Sequence, residues 1–300
     1  MAQRQTWVVS NADAETPLGP LLARFLSCEP ERAMRWVRAG AVYVNGRRST
    51  DETRQVSVGA KLMLVLSEGG QPGTDFTAAG RLVPVVLHDD AHCVAVNKPP
   101  AMVSQPTPSR LGESVWDWVK RNFGSQVGLV HRLDKETSGV LVFGKTPQAT
   151  SVLAEHFREG RVQKQYVAIV GADAPEEGTI DLPVSADPSR KGRYRASRNA
   201  NGRAARTRFA RVFQCKHHSG VVLWPETGRT HQIRTHLSAI GFPIAGDTLY
   251  GGAEMLDAQK VPRTLLHAQV LTLPGFTNPA IPLRFEAAIP ADMSPWWHAR

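Results

Sequence analysis

Cysteine is scarce in this sequence: Cys28, Cys93 and Cys215 are the three among 300 residues. Far apart, odd in number and without a C-x-x-C spacing, they exclude a disulfide framework and a zinc knuckle, and the expectation is a reducing cytoplasm. Long apolar runs are missing too. Nothing approaches the roughly 20 apolar residues that span a bilayer, and the opening MAQRQTWVVSNADAETPLG lacks the basic start and continuous hydrophobic segment of an export signal. No membrane association is expected. His231 and His236 are five apart, off the i, i+4 spacing of a helical zinc pair, and the adjacent His217 and His218 cannot converge on one ion. No serine sits in a G-x-S-x-G elbow. Acid is absent from one place in particular: Arg190 to Lys216 holds ten Lys or Arg and no Asp or Glu, so it carries +10 while the rest of a chain of net charge +9 comes to −1. Basicity this local suits a binding surface for a polyanion, because clustered cations gain free energy by releasing counterions from phosphates.

Against these absences stands ample material for a core, with 42% hydrophobic and 21% charged residues. Leu18, Leu21, Leu22 and Phe25 follow the i, i+3, i+4, i+7 stripe of an amphipathic helix over about 17–27. Pro30 suits a helix start and Gly40 the residue past a helix end. Arg32, Arg35 and Arg38 lie between them on one side. Val42 and Val44 then alternate into an Asn45-Gly46 turn followed by Arg47 and Arg48, and Leu62, Leu64 and Leu66 form a partner strand. Gly40-Ala41-Val42-Tyr43-Val44-Asn45-Gly46 after a helix pair resembles the S4 RNA-binding domain. That resemblance implies a small α+β domain over 14–67 that holds structured RNA with Arg32, Arg35, Arg38, Asn45, Arg47 and Arg48. The glycine-rich 68–80 is expected to be a linker.

From 81 to 300, short strand-like runs alternate with helical patterns, which predicts a mixed α+β domain. PVVLHDDAHCVAVNKPP gives two strands around a turn, and VQKQYVAIV another strand. Thr146 caps and Pro147 starts a helix with a stripe of Ala149, Val152, Leu153, His156 and Phe157, closed by Gly160. Gly139 to Thr146 satisfies the phosphate-loop pattern G-x-x-x-x-G-K-[ST], but Val-Leu-Val-Phe inside it favours a buried strand over an open curve of amides. No nucleotide cofactor is expected.

The chemistry narrows to LVHRLDKETSGVLVFGKT, residues 129–146, where Asp134 sits among His131, Arg132 and Lys135 between two apolar flanks. Neighbouring cations favour the ionised carboxylate, which is a competent nucleophile toward an electrophilic sugar carbon. For this loop alone structural ion pairing is the stronger reading, since most Asp residues near Arg and Lys are ion-paired.

HRLDKETSG at 131–139 resembles the central motif of the RluA-type pseudouridine synthases, which isomerise uridine in RNA. Further blocks follow in that family's order: VAVNKPPAM (94–102), KQY (164–166), TGRTHQIRTHL (227–237), PIAGDTLYG (243–251) and LLHAQVLTLPGFTNP (265–279). Pro100-Ala101 stands where Ala-Gly is usual and Asn278 where His is usual. The resemblance implies a mixed β-sheet catalytic domain of the α+β class and a reaction that breaks N1–C1′, turns the base and rejoins it through C5. It implies no cofactor and no metal. Asp134 would be the catalytic aspartate, attacking C1′ or assisting loss of the C2′ proton. Arg229 would pair with it, Tyr166 would lie against the uracil, and Lys164 would share that face. His131, Arg132 and Leu133 would sit on the substrate side, with Ile233 and Leu265 as apolar walls that exclude water. Gly202 to Thr207 resembles the family's G-K-x-A-x-T turn. It would make residues 189–209 a β-hairpin-like finger whose Arg193, Arg195, Arg198 and Arg203 meet RNA. Partnership with RNA, ribosomal in preference to transfer RNA, and a monomeric state complete the expectation. A non-catalytic RNA-binding factor of the same fold and an N-glycosidase are the competing classes, separated by the isomerised base and by free uracil respectively.

Overall fold

The computed structural model describes residues 3–13, 15–38, 41–45, 47–49, 51–66, 83–106, 114–198 and 201–297. The chain divides into two compact units, Met1–Val85 and Val86–Arg300. The expected linker 68–80 lies outside the described residues.

In the first unit, β1 (Gln3–Val8) precedes α1 (Leu18–Leu26), α2 (Pro30–Arg38), β2 (Val42–Val44), β3 (Arg47–Ser49) and β4 (Lys61–Leu66), and the sheet order is β1-β4-β2-β3. The leucine stripe of α1 is buried, with Leu18, Leu21 and Leu22 packing on Val37 and Leu62. Asn45 takes the left-handed conformation, φ 51°, that turns β2 into β3. The alternation at Leu62 and Leu64 puts β4 antiparallel to β2, Val42 opposite Leu64. Strand β1, antiparallel to β4, has too polar a sequence to be read as a strand in advance. A helix pair leading into a small sheet is compatible with the S4-like expectation.

The second unit is built on one mixed sheet that is ten-stranded among the described residues. Its elements are β5 (Val85–Asp89), β6 (Cys93–Lys98), α3 (Val115–Phe123), β7 (Gly128–Leu129), β8 (Ser138–Gly144), α4 (Pro147–Arg158), β9 (Gln163–Gly171) and β10 (Glu177–Asp181). There follow β11 (Val184–Ala186), β12 (Tyr194–Ala196), β13 (Arg206–Gln214), β14 (His218–Pro225), α5 (Gln232–Ala239), β15 (Met255–Leu256), β16 (Gln259–Lys260), β17 (Leu266–Leu273) and β18 (Leu283–Glu286). The order is β10-β13-β14-β9-β17-β8-β6-β5, with β18 beside β17 and β7 beside β8.

The phosphate-loop lookalike is the central strand β8, buried throughout. Its Leu141 and Phe143 face a cluster with Val115 and Val119 of α3, while Val140 and Val142 face Leu153 of α4. A strand covered on both faces needs an unbroken apolar run, and Val-Leu-Val-Phe supplies it. Thr146 caps α4 by accepting from the Ala149 amide at 3.1 Å. Val152, assigned to the buried stripe, is instead 37% exposed; the helix turns its Ala149, Leu153 and His156 inward.

The basic segment also differs from expectation. It does not fold back on itself: β12 pairs antiparallel with β11, Tyr194 opposite Ala186, whereas Arg206 onward forms β13 in the main sheet. The finger is therefore the β11–β12 hairpin. β8 runs parallel to β17, and where they meet, Gly139 (φ 116°) faces Ala268. A Cβ there would collide with the Ala268 carbonyl oxygen.

Gly139→Ala combines that collision with a disfavoured φ, a cost of about 3 kcal/mol or more. The expected drop in melting temperature is about 6 to 12 °C; a drop under about 2 °C contradicts the close approach.

Candidate active site

Asp134 lies on the irregular segment between β7 and β8, and side chains from distant parts of the second unit hold that backbone. Ser104 Oγ donates to the Leu133 carbonyl at 2.8 Å and accepts from the Leu133 amide at 3.0 Å. The fully buried Lys98 extends from the end of β6 to donate to the carbonyls of Pro99, Met102 and Lys135, at 2.8, 2.8 and 3.0 Å. Burial, reinforced by the nearby charge of Arg263, lowers its pKa to about 7. Arg263 forms a fork with Asp292 at 2.7 and 2.9 Å and donates to the Glu136 carbonyl at 3.2 Å. His131 accepts from the Val142 amide through Nε2 at 3.0 Å and stacks on Phe157. Burial, with Lys164 adding to it, pushes this imidazole down to about 3, so it is a neutral acceptor. Its ring therefore anchors the loop from the cavity wall.

The guanidinium nearest Asp134 belongs to Arg234. Its Nη1 stands 3.6 Å from Asp134 Oδ2. Its Nε and Nη2 donate to the two oxygens of Asp247 at 2.6 and 2.8 Å, and its face lies against the Tyr250 ring, 4.9 Å from the centroid. Asp247 is 1% exposed and Arg234 10%. The expected pairing of Arg229 with Asp134 is thus corrected. Arg229 precedes α5, its Nε donates to the Ala204 carbonyl at 3.1 Å, and it borders the cavity instead of pairing with the carboxylate. Helix α5 begins at Gln232, which puts Arg234 in its first turn, pointing inward. Gln232 fixes that start: its Oε1 accepts from Thr227 Oγ1 and the Arg229 amide, while Nε2 donates to the Arg206 carbonyl and Thr207 Oγ1.

His231 caps α5 in the left-handed region, φ 55°, an uncommon conformation for this residue type that brings its ring over the site. Nε2 is 3.9 Å from Asp134 Oδ2 and Nδ1 is 2.8 Å from Tyr250 Oη. That hydroxyl also accepts from the Tyr194 amide, so Tyr250 ties β12 to His231.

These groups open onto a cavity of about 570 Å3 lined by Asp134, Lys164, Tyr166, Arg229, Ile233 and Arg234, among others. His131, Arg132 and Leu133 also line it. Lys164 and Tyr166 stand two apart on β9 and so share a face. Lys164 donates to the Thr227 carbonyl at 3.2 Å, and burial followed by the charge of Arg229 lowers its pKa. Burial first, and the Asp134 charge second, raise the Tyr166 phenol above its usual range, so it stays protonated. Leu265, expected as a wall, is fully buried in the core; Leu266 lines the cavity in its place.

Outside this cavity the basic residues diverge. Arg195, Arg198 and Arg203 are exposed, while Arg193 faces Asp187 at 3.7 Å. In the first unit Arg32 lies over Trp36 and Arg35 is exposed, but Arg38 is taken up by Glu52 and Glu31. Asn45 uses its side-chain oxygen to accept from the Lys61 amide. The side chains of Arg47 and Arg48 lie outside the described residues. His88, Asp90 and Cys93 come within metal-binding distance of one another. Asp90, however, already accepts from the His92 and Cys93 amides and contacts His88. Burial pushes the Cys93 thiol up to about 12, so the trio suits a strand turn better than an ion.

Comparison with known proteins bears on this geometry. Residues 92–239 match the family model described as RNA pseudouridylate synthase. The dual-specificity RNA pseudouridine synthase RluA of Escherichia coli (strain K12) is 40% identical over 217 residues, 69% of this chain and 93% of its own length. The uncharacterized RNA pseudouridine synthase YlyB of Bacillus subtilis (strain 168) is 32% identical over 274 residues, 88% of this chain and 86% of its own. Among solved structures, human RNA pseudouridylate synthase domain containing 4 matches with a TM-score of 0.55 at 26% identity, over 70% of this chain and 90% of its own. The chain belongs to the RNA pseudouridylate synthase family, RluA type, and is an isomerase that acts on uridine in RNA.

Arg234→Gln leaves Asp247 buried without its cation, a loss of about 3 to 5 kcal/mol, and removes the charge beside Asp134. Thermal melts and single-turnover tritium release from RNA labelled at uridine C5 should show a large drop in melting temperature and at least about a hundredfold slower rate. Arg229→Gln should leave the melting temperature within about 2 °C of wild type. The opposite ranking would give the pairing role back to Arg229.

Proposed function

We propose that Asp134 is the carboxylate that acts on the ribose of a uridine turned out of its RNA into this cavity. The observation that carries the reading is the position of Asp134: on a loop braced by Lys98, Ser104 and Arg263, beside Arg234, and in one cavity with Tyr166. Arg234 aims the carboxylate. Tyr166, a protonated phenol on the apolar side, can lie against the uracil and hand on a proton through its hydroxyl. Isomerisation breaks N1–C1′ and makes C5–C1′; the proton lost from C5 is balanced by one gained at N1, with no redox change and no water consumed. Ile233, Leu266 and Phe157 supply apolar lining, which suits a reaction that water would divert to hydrolysis. The carboxylate chemistry is open to attack at C1′ or assistance to loss of the C2′ proton.

The substrate we propose is a structured RNA, ribosomal in preference to transfer RNA, modified by a monomer in the cytoplasm. The first unit, with Arg32 and Arg35 exposed on α2, acts in this reading as an S4-like RNA grip, and Arg195 and Arg198 of the β11–β12 region add phosphate contacts. Such contacts position the RNA without taking part in the bond changes.

Asp134→Asn preserves size and removes the charge. Single-turnover tritium release should fall below a few per cent of wild type, and RNA binding by filter retention should be kept. A variant with substantial turnover removes Asp134 from the mechanism, and free uracil as the product would instead indicate an N-glycosidase.

A further inference from the structure

Beside the first cavity lies a second of about 530 Å3, and Gly228, Arg229 and Thr230 form a wall common to both. Its remaining walls come from the β11–β12 hairpin and from the segment Asn201–Arg203 ahead of β13. Its size is within the range of about 300 to 1,000 Å3 that small-molecule sites occupy.

The lining has a definite chemistry. Arg203 is fixed at its backbone, which exchanges two 2.9 Å hydrogen bonds with Val184. Its guanidinium is exposed and has no ion pair among the described residues. Arg229 is tied at the common wall through Nε to the Ala204 carbonyl. Tyr194 presents an aromatic ring, set edge-on to His231 at 5.4 Å. Ser185 contributes a buried hydroxyl with no hydrogen-bond partner among the described residues, a state that costs free energy until a partner arrives. Gly202 lets its segment pass close to β11: a Cβ there would stand 2.7 Å from the Val184 carbonyl carbon. Two guanidiniums, a ring and an unmatched hydroxyl together suit a ligand that is flat, anionic and able to hydrogen-bond.

Such a ligand necessarily accompanies the uridine. RNA is continuous, so the phosphodiester leading out of the first cavity brings a second nucleotide to the common wall. We propose that the second cavity holds the nucleotide next to the target uridine, with its phosphate between Arg203 and Arg229 and its base against Tyr194, within reach of Ser185 Oγ. The inference rests on the reading of the first cavity as the uridine site. It gives the enzyme a means of reading sequence beside the target, because a hydrogen-bonding pocket for one base rejects bases that leave its polar groups unmatched.

The test is a cycle between protein and RNA. Total RNA from cells lacking the gene is treated with the purified full chain, the pseudouridines formed are mapped, and a short synthetic RNA is made around the most heavily modified position. The nucleotides on either side of the uridine are replaced, one at a time, by an abasic nucleotide. For wild type, the substitution on one side should raise the half-saturating RNA concentration in single turnover at least about fivefold, the low end for one stacked base. Tyr194→Leu, melting like wild type, should show a penalty for that abasic nucleotide under about twofold, since the stacked base is already lost, whereas Arg203→Gln, which meets the phosphate that an abasic nucleotide keeps, should raise the half-saturating concentration of both RNAs alike. An equal penalty in wild type and Tyr194→Leu, or no penalty on either side, overturns the proposal. Failure of the uridine reading would show elsewhere, as a plateau rate that survives Asp134→Asn.

Discussion

The fork between Arg234 and Asp247 is the interaction on which the site depends. Asp247 accepts both of its bonds in near-complete burial, so the guanidinium has two of its three nitrogens committed before any substrate arrives. Only Nη1 is left for Asp134, at 3.6 Å. A charge fixed in this way requires little reorganisation at the moment of reaction, which is how a polar site lowers a barrier that water cannot. Tyr250 closes the other side, its ring against Arg234 and its hydroxyl against His231.

Positioning Asp134 itself is a separate problem with a separate solution. Its loop has no strand pairing between His131 and Thr137, so several of its buried polar groups are satisfied by side chains. Lys98, Ser104 and Arg263 do this from three different elements, and Gly139 lets β8 approach β17 closely enough to set the end of the loop. The sheet is thus the reference frame and the loop is fastened to it at several points, an arrangement suited to holding a reacting group within a fraction of an ångström.

Much of this was legible in the sequence where the signal is local. The apolar flanks of HRLDKETSG give β8, the capping residues give α4, and Lys164 and Tyr166 share a face because they are two apart on a strand. What was not legible depends on phase and distance. Arg229 and Arg234 occupy one short block, and only the start of α5 at Gln232, set by its bonds to Thr227, Arg206 and Thr207, decides which one points inward. Leu265 and Leu266 differ by a single position, and a strand presents alternate residues to opposite faces. Lys98 and Arg263 reach the loop from 37 and 127 residues away, a separation over which pattern carries no information. The hairpin partner of β12 was missed for a related reason: β11 lies before the basic run, so composition alone drew the finger in the wrong place.

The central claim is that Asp247 aims Arg234, and through it Asp134, without touching the substrate. Asp247→Asn keeps the shape and removes the charge that fixes the guanidinium. Measured in single turnover at saturating RNA, its rate should fall by about a hundredfold, the cost of misplacing a reacting group by roughly an ångström, while the half-saturating RNA concentration stays near wild type. A folded Asp247→Asn variant with an unchanged plateau rate would contradict the account.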